Sequence, residues 1–135
     1  MTHLLDTSAL LTHYLAERGF ETVAALLVDE SKPAGTSVLA LFEFELRLHR
    51  LGVDDAARAA TLSRYRRLLD EVVNVDEAVR KEAVRLRTNA AARISAMDIL
   101  IAARASVRSA ILVHRDPDFA AIPQSFLRQE ALPPK

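Results

Sequence analysis

His3-Leu4-Leu5-Asp6-Thr7-Ser8-Ala9-Leu10 decides how this chain is read. Residues 3–5 form a short apolar run closed by an acid, and a helical pattern starts at Thr7. This unit, a brief strand handing over to a helix, recurs along the chain. Helices are expected at about 7–18, closing at Gly19, and at about 20–30. The turn Ser31-Lys32-Pro33-Ala34-Gly35 leads to a strand at about 36–38, then to a helix ending near Leu51 and stopped by Gly52. Asp54 or Asp55 caps a helix to about Leu69. Val72-Val73-Asn74-Val75 reads as a third strand, and Asp76 caps a helix to about Thr88. A polar stretch over 89–95 precedes a helix at about 96–109. Ile111–Val113 is the fourth strand, Asp116-Pro117-Asp118-Phe119 a turn, and Ala121-Ile122 a short fifth strand. Pro133-Pro134-Lys135 is expected to fray. Short strands alternating with longer helices predict one α/β domain over 1–135. Its centre is a mainly parallel sheet of four to five strands flanked by helices.

In that architecture four acids meet: Asp6, Glu43, Asp98 and Asp116. Ligands of open α/β sheets bind beyond the carboxyl ends of the parallel strands. Asp6 and Asp116 follow strands directly. Glu43 lies in the helix leaving the second strand. Asp98 opens a helix that runs antiparallel to the fourth strand, so its amino end overhangs the same rim. Carboxylates gathered at one point repel by roughly 4 kcal/mol per pair, at about 4 Å and an effective dielectric near 20. A cation or protons must neutralise them. The pattern points to a divalent metal.

Each acid also has a purely local reading. Asp6 can cap the helix at Thr7. Ser95-Ala96-Met97-Asp98 has the capping-box form. Asp116 before Pro117 suits an Asx turn, and Glu43 can be one more exposed helical carboxylate. The coincidence of four segments at one rim favours the metal. Glu45 competes with Glu43, but residues two apart do not share a helix face, and Glu43 aligns with Leu39 and Leu46 at the edge of the buried stripe. Asp118 is a candidate fifth ligand. Thr7 and Ser8 are candidate donors to Asp6 or to a water, and His114 and Arg115 flank Asp116. No histidine pair has zinc-ligand spacing.

The 135 residues suffice for one core, and at 50% hydrophobic and 27% charged the chain is an ordinary globular mixture. The absence of cysteine excludes disulfides and thiolate metal sites and fits a reducing cytoplasm. No apolar stretch is long enough to span a membrane, and the start lacks the basic region of a signal peptide. Net charge is zero, from 18 basic and 18 acidic residues. With four carboxylates neutralised by metal, 18 basic groups face 14 acidic ones, which helps hold a polyanion.

Four stretches resemble, in order, the motifs of PIN domains. Leu4-Leu5-Asp6-Thr7-Ser8-Ala9-Leu10 resembles the opening of that family, and Ser37-Val38-Leu39-Ala40-Leu41-Phe42-Glu43 its second acidic motif. Met97-Asp98-Ile99-Leu100-Ile101-Ala102-Ala103 and Leu112-Val113-His114-Arg115-Asp116-Pro117-Asp118-Phe119 resemble the third and last. Order, spacing and length are similar to those of VapC-type toxins of prokaryotic toxin–antitoxin pairs. The resemblance implies a PIN-like three-layer sandwich and a Mg²⁺- or Mn²⁺-dependent endoribonuclease with Asp6, Glu43, Asp98 and Asp116 as metal-binding and catalytic residues. It also implies a homodimer and a cognate antitoxin lying across the active site. His114 stands where the family usually has a small hydroxyl residue.

Hard oxygen ligands suit Mg²⁺ or Mn²⁺. Asp6, Asp98 and Asp116 are expected to hold the ion, with Glu43 completing the shell or orienting the attacking water. Arg93, Arg104 and Arg115 are candidates for RNA-backbone contacts. Two rivals remain. One is a PIN-like module that binds RNA or protein without cutting. The other is a phospho-receiver domain, disfavoured because none of Lys32, Lys81 and Lys135 follows a late strand.

Overall fold

The structure, a computed structural model, describes residues 1–135. Five strands, β1 (His3–Leu5), β2 (Ala34–Ser37), β3 (Val72–Val73), β4 (Ile111–His114) and β5 (Gln129–Ala131), form one sheet in the order β3-β2-β1-β4-β5. Every pairing is parallel. The expected α/β sandwich is therefore present, with a wholly parallel sheet. Six α-helices connect the strands: α1 (Thr7–Tyr14), α2 (Phe20–Val28), α3 (Val38–Arg50), α4 (Asp55–Leu68), α5 (Glu77–Asn89) and α6 (Ala96–Val107).

The strand order explains the layers. From β1 the chain steps outward to β2 and then β3, and then jumps back across β1 to β4. Parallel crossovers are right-handed, so this reversal puts α1–α4 on one face and α5–α6 on the other. The packing agrees: α1 lies against α2 and α3, α3 against α4, and α5 against α6. Leu4, Leu5, Leu112 and Val113 are fully buried in the middle layer. Phe44 and Tyr65 pack edge-on at 5.2 Å beneath α3 and α4, and the Tyr65 hydroxyl hydrogen-bonds His13 Nδ1 at 2.6 Å.

Several expected boundaries move. Helix α1 stops at Tyr14, not near Arg18, because Ala16 takes a left-handed φ of 51°. Gly19, at φ +96°, is the N-cap of α2 and not the end of α1, and α2 itself ends at Val28. β2 begins at Ala34, and Val38 already belongs to α3. β3 covers only Val72–Val73, and α6 ends at Val107. Ala121-Ile122 is no strand: Pro117–Ala121 is a 3₁₀ turn, and the fifth strand is Gln129–Ala131. Pro133–Lys135 does not fray. A Cβ on Gly19 would stand 2.8 Å from Pro133 Cδ, and Lys135 Nζ lies 3.3 Å from Glu17.

Candidate active site

The switch in strand order falls between β1 and β4, so the crevice beyond their carboxyl ends is where this fold binds ligands. Two acids guard it. Asp6 follows β1 directly, and its N–H continues the ladder to the Val113 carbonyl at 3.1 Å. Asp116 stands two residues beyond β4, where it caps the 3₁₀ turn by accepting the Asp118 N–H at 2.9 Å.

Asp6 plays the capping part and is buried as well. It is the N-cap of α1: Oδ1 accepts the Ala9 N–H at 3.1 Å and the Ser8 hydroxyl at 2.6 Å. It is also 3% exposed. Burial pushes its carboxyl up to about 7, with the charge of Asp98 acting in the same direction, against the bonds from Ser8 and Ala9. A cap alone would not need burial, since exposed Asp54 and Asp76 cap α4 and α5 equally well.

Asp98 lies in the first turn of α6, and its N–H bonds the Ser95 hydroxyl at 3.1 Å. Its carboxyl is also raised, first by burial, then by the charges of Asp116, Glu43 and Asp118, against a bond with Ser95. Asp98 is therefore the electrostatic hub of the acids. Glu43 extends from α3 and accepts the Thr7 hydroxyl at 2.9 Å. Glu45 is exposed and lies 4.0 Å from Arg58, apart from this set. Asp118 is exposed, and its charge still reaches Asp98.

Two open grooves flank the acids. One, of about 370 Å³, is lined by Thr7, Leu11, Phe42, Glu43, Arg47 and Met97, among others. The other, of about 330 Å³, includes Ser8, Leu11, Arg47, Arg115, Asp116 and Lys135. Leu11 and Arg47 border both. Of the candidate RNA-contact arginines, Arg93 is exposed, and Arg115 is tied to Glu17 at 2.6 Å. Arg104 is buried and does not serve the rim. It donates to the Asn74 carbonyl at 3.0 Å and pairs with Asp76, closing the start of α5. Arg47 was missed. Its place one turn after Glu43 on α3 was the signal available.

No ion pair of the chain involves Asp6, Glu43, Asp98, Asp116 or Asp118. The acids repel one another with no internal cation to neutralise them. No three acidic or histidine side chains close on a common point as a ready-made metal cage. An all-oxygen set of this open kind fits Mg²⁺, which binds through one or two carboxylates and keeps several waters.

His114 is buried and fully partnered. Nε2 meets Gln129 Oε1 at 3.0 Å, Nδ1 accepts the Asp116 N–H at 3.2 Å, and the ring packs on Phe119 at 4.8 Å. Burial pulls its pKa down.

The family model for the PIN domain matches residues 3–124. No curated protein matches significantly. Among solved structures, the chain is similar to VapBC2 from Rickettsia felis, solved bound to a DNA fragment from its promoter, at 20% identity and a TM-score of 0.79. That match covers 98% of this chain and 100% of the other. VapBC-5 from Mycobacterium tuberculosis, of the VapBC family of toxin–antitoxin systems, is similar at 27% identity over 98% of both chains, with a TM-score of 0.64. VapC20 from the same organism, described as a toxin that cleaves the Sarcin-Ricin loop, is similar at 21% identity and 0.66. There 88% of this chain and 93% of that one are covered.

Proposed function

We propose, since the chain belongs to the PIN-domain family, that it is a metal-dependent endoribonuclease of the VapC type and the toxin of a toxin–antitoxin pair. One observation carries the reading. Asp98 is destabilised as an anion first by burial and then by the charges of Asp116, Glu43 and Asp118, Asp6 is destabilised by burial and by Asp98, and no basic side chain pairs with any of them. Such a set is tolerable with a divalent ion, and it supports catalysis over the rival reading of a module that only binds.

Asp6, Asp98 and Asp116 would hold Mg²⁺ or Mn²⁺, one or two of them directly and the others through its waters, and Glu43 would complete the shell. When bound, the ion lowers the pKa of a water and stabilises charge on the scissile phosphate. The chain's own groups do the positioning. Ser8 and the Ala9 amide fix the Asp6 carboxylate on the rim. Thr7 fixes Glu43, which faces the groove where an attacking water is oriented. Arg47 and Arg50 line the grooves and attract an RNA backbone, while Arg115 and Lys135 beside them are paired with Glu17.

The partners follow from the same surface. Phe42 is 53% exposed, and Leu46, one turn further along α3, is exposed in the same groove. Apolar side chains grouped so close to a charged site fit cover by protein, in a homodimer and by a cognate antitoxin. No helix is long and apolar enough to cross a membrane, and the proposed place of action is the cytoplasm.

The test is cleavage of total RNA with Mg²⁺ by wild type and by Asp6→Asn. Asn still caps α1, so the variant folds. Metal-dependent cleavage by the wild type alone is expected; equal cleavage by both, or by neither, overturns the proposal.

A further inference from the structure

His114 occupies a position that a simple core histidine would not need. It is the last residue of β4, 4% exposed, and both its ring nitrogens are used. The Asp116 N–H points at Nδ1, 3.2 Å away, so Nδ1 must offer a lone pair. The ring proton then sits on Nε2, which donates to Gln129 Oε1 at 3.0 Å. Gln129 is held in turn. Its Nε2 donates to the Phe119 carbonyl at 3.1 Å and the Ile122 carbonyl at 3.0 Å. With both N–H groups committed, the amide oxygen is left to face His114. An amide oxygen is an acceptor only, so Gln129 dictates the tautomer.

We propose that His114 is a positioning residue that presents Asp116 to the site, with Gln129 selecting the tautomer that lets it do so. The chain of contacts runs from Gln129 on the edge strand β5, held there by the 3₁₀ turn, through His114 at the end of β4 to the last acid of the rim. Asp116 is then held from two sides. Its N–H is anchored by His114, and its Oδ1 by the Asp118 N–H. The Phe119 ring against His114 prevents the imidazole from swinging away. Outer partners of metal ligands act in this way: they touch neither ion nor substrate, yet they fix the ligand that does.

This inference rests on the proposed metal site, and its test separates the two. Asn at position 114 places an acceptor where Nδ1 stands, whereas Gln places its polar group where Nε2 stands. Long-range ¹H–¹⁵N spectra of the metal-free wild type give the ring tautomer, and amide exchange gives the protection of the Asp116 N–H. The Nε2–H tautomer and a protected amide are expected in the wild type, with protection kept in His114→Asn and lost in His114→Gln. Mn²⁺ titration followed by electron paramagnetic resonance should then show near wild-type affinity for Asn and a loss of about tenfold to a hundredfold for Gln. An Nδ1–H tautomer, or identical Asp116 exchange and Mn²⁺ affinity in the two variants, overturns the proposal. If the wild type binds no Mn²⁺, the metal reading fails, and the tautomer and amide exchange alone decide the role of His114. Both of these readouts on the wild type hold even if a variant fails to fold.

Discussion

The Thr7 hydroxyl donates to Glu43 Oε1 across 2.9 Å and so joins the first turn of α1 to the middle of α3. Asp6, the residue before Thr7, caps α1, so two of the rim acids are braced through adjacent residues of one backbone turn. The sequence placed Thr7 and Ser8 beside Asp6 as donors. The structure divides the work: Ser8 serves Asp6, and Thr7 serves Glu43.

Thr7→Val keeps the shape and removes the donor. The Glu43 oxygen loses its only side-chain partner within the protein. A stability loss of about 1 kcal/mol is expected in urea denaturation. RNA cleavage should fall with it, because a free Glu43 samples more rotamers.

The contribution of Asp6 to metal-free stability should fall as pH rises, opposed by His3, His13 and His114, whose burial lowers their pKa. The folded-state pKa of Asp6 is about 7, against an unfolded value of 3.8. The folded state therefore binds more protons between these values. Its advantage is complete below about pH 4 and is lost as pH climbs through about 7, at a total cost on the order of 4 kcal/mol. Urea melts of wild type and Asp6→Asn from pH 4 to 8 check this: the wild type should lose stability relative to the variant as pH rises. Saturating Mg²⁺ should stabilise the wild type more at pH 8 than at pH 5, because the proton no longer competes.

Asp98→Asn should lower Mg²⁺-dependent cleavage by more than about a hundredfold, beyond what the loss of an outer partner alone costs. Ser95 still caps α6, so metal-free melting should hold or rise as repulsion with Asp116, Glu43 and Asp118 is relieved. Gel assays of RNA cleavage and thermal melts read the two effects separately.

Gly19→Ala tests the packing of the chain end. The residue has φ +96°, and an added Cβ would meet Pro133 Cδ at 2.8 Å. The left-handed conformation costs about 1–2 kcal/mol for a residue with a side chain. A melting temperature several degrees lower is expected. Calorimetry gives the value.

The parts of the fold that could be read ahead are those with local chemistry. Asp6, Asp54, Asp76 and Ser95 all cap helices as their residue types suggest, because a cap needs only its own turn. The strands β1 and β4 are dense apolar runs, and the acids after them could be placed from topology. The misses depend on distant partners. Gln129-Glu130-Ala131 has no apolar pattern, and its strand character comes from register against Leu112–His114. Ala121-Ile122 looks apolar enough for a strand, yet Ile122 is buried beside a 3₁₀ turn. Ala16 ends α1 with a conformation that nothing in alanine announces. Arg104 reads as a surface cation until Asn74 and Asp76 are seen beside it. The His114–Gln129 pair is likewise visible only once β5 is set against β4.

The central strand is made of residues 3–5, yet one of its two neighbours is residues 111–113. A polypeptide still emerging from the ribosome carries Asp6 and Glu43 long before it carries β4, and Asp98 shortly before. Until then β1 has an open edge, Ser8 has no Arg115 amide to receive, and the fourth acid does not exist. The sheet and its rim of four acids are thus completed together, by the same late stretch of chain.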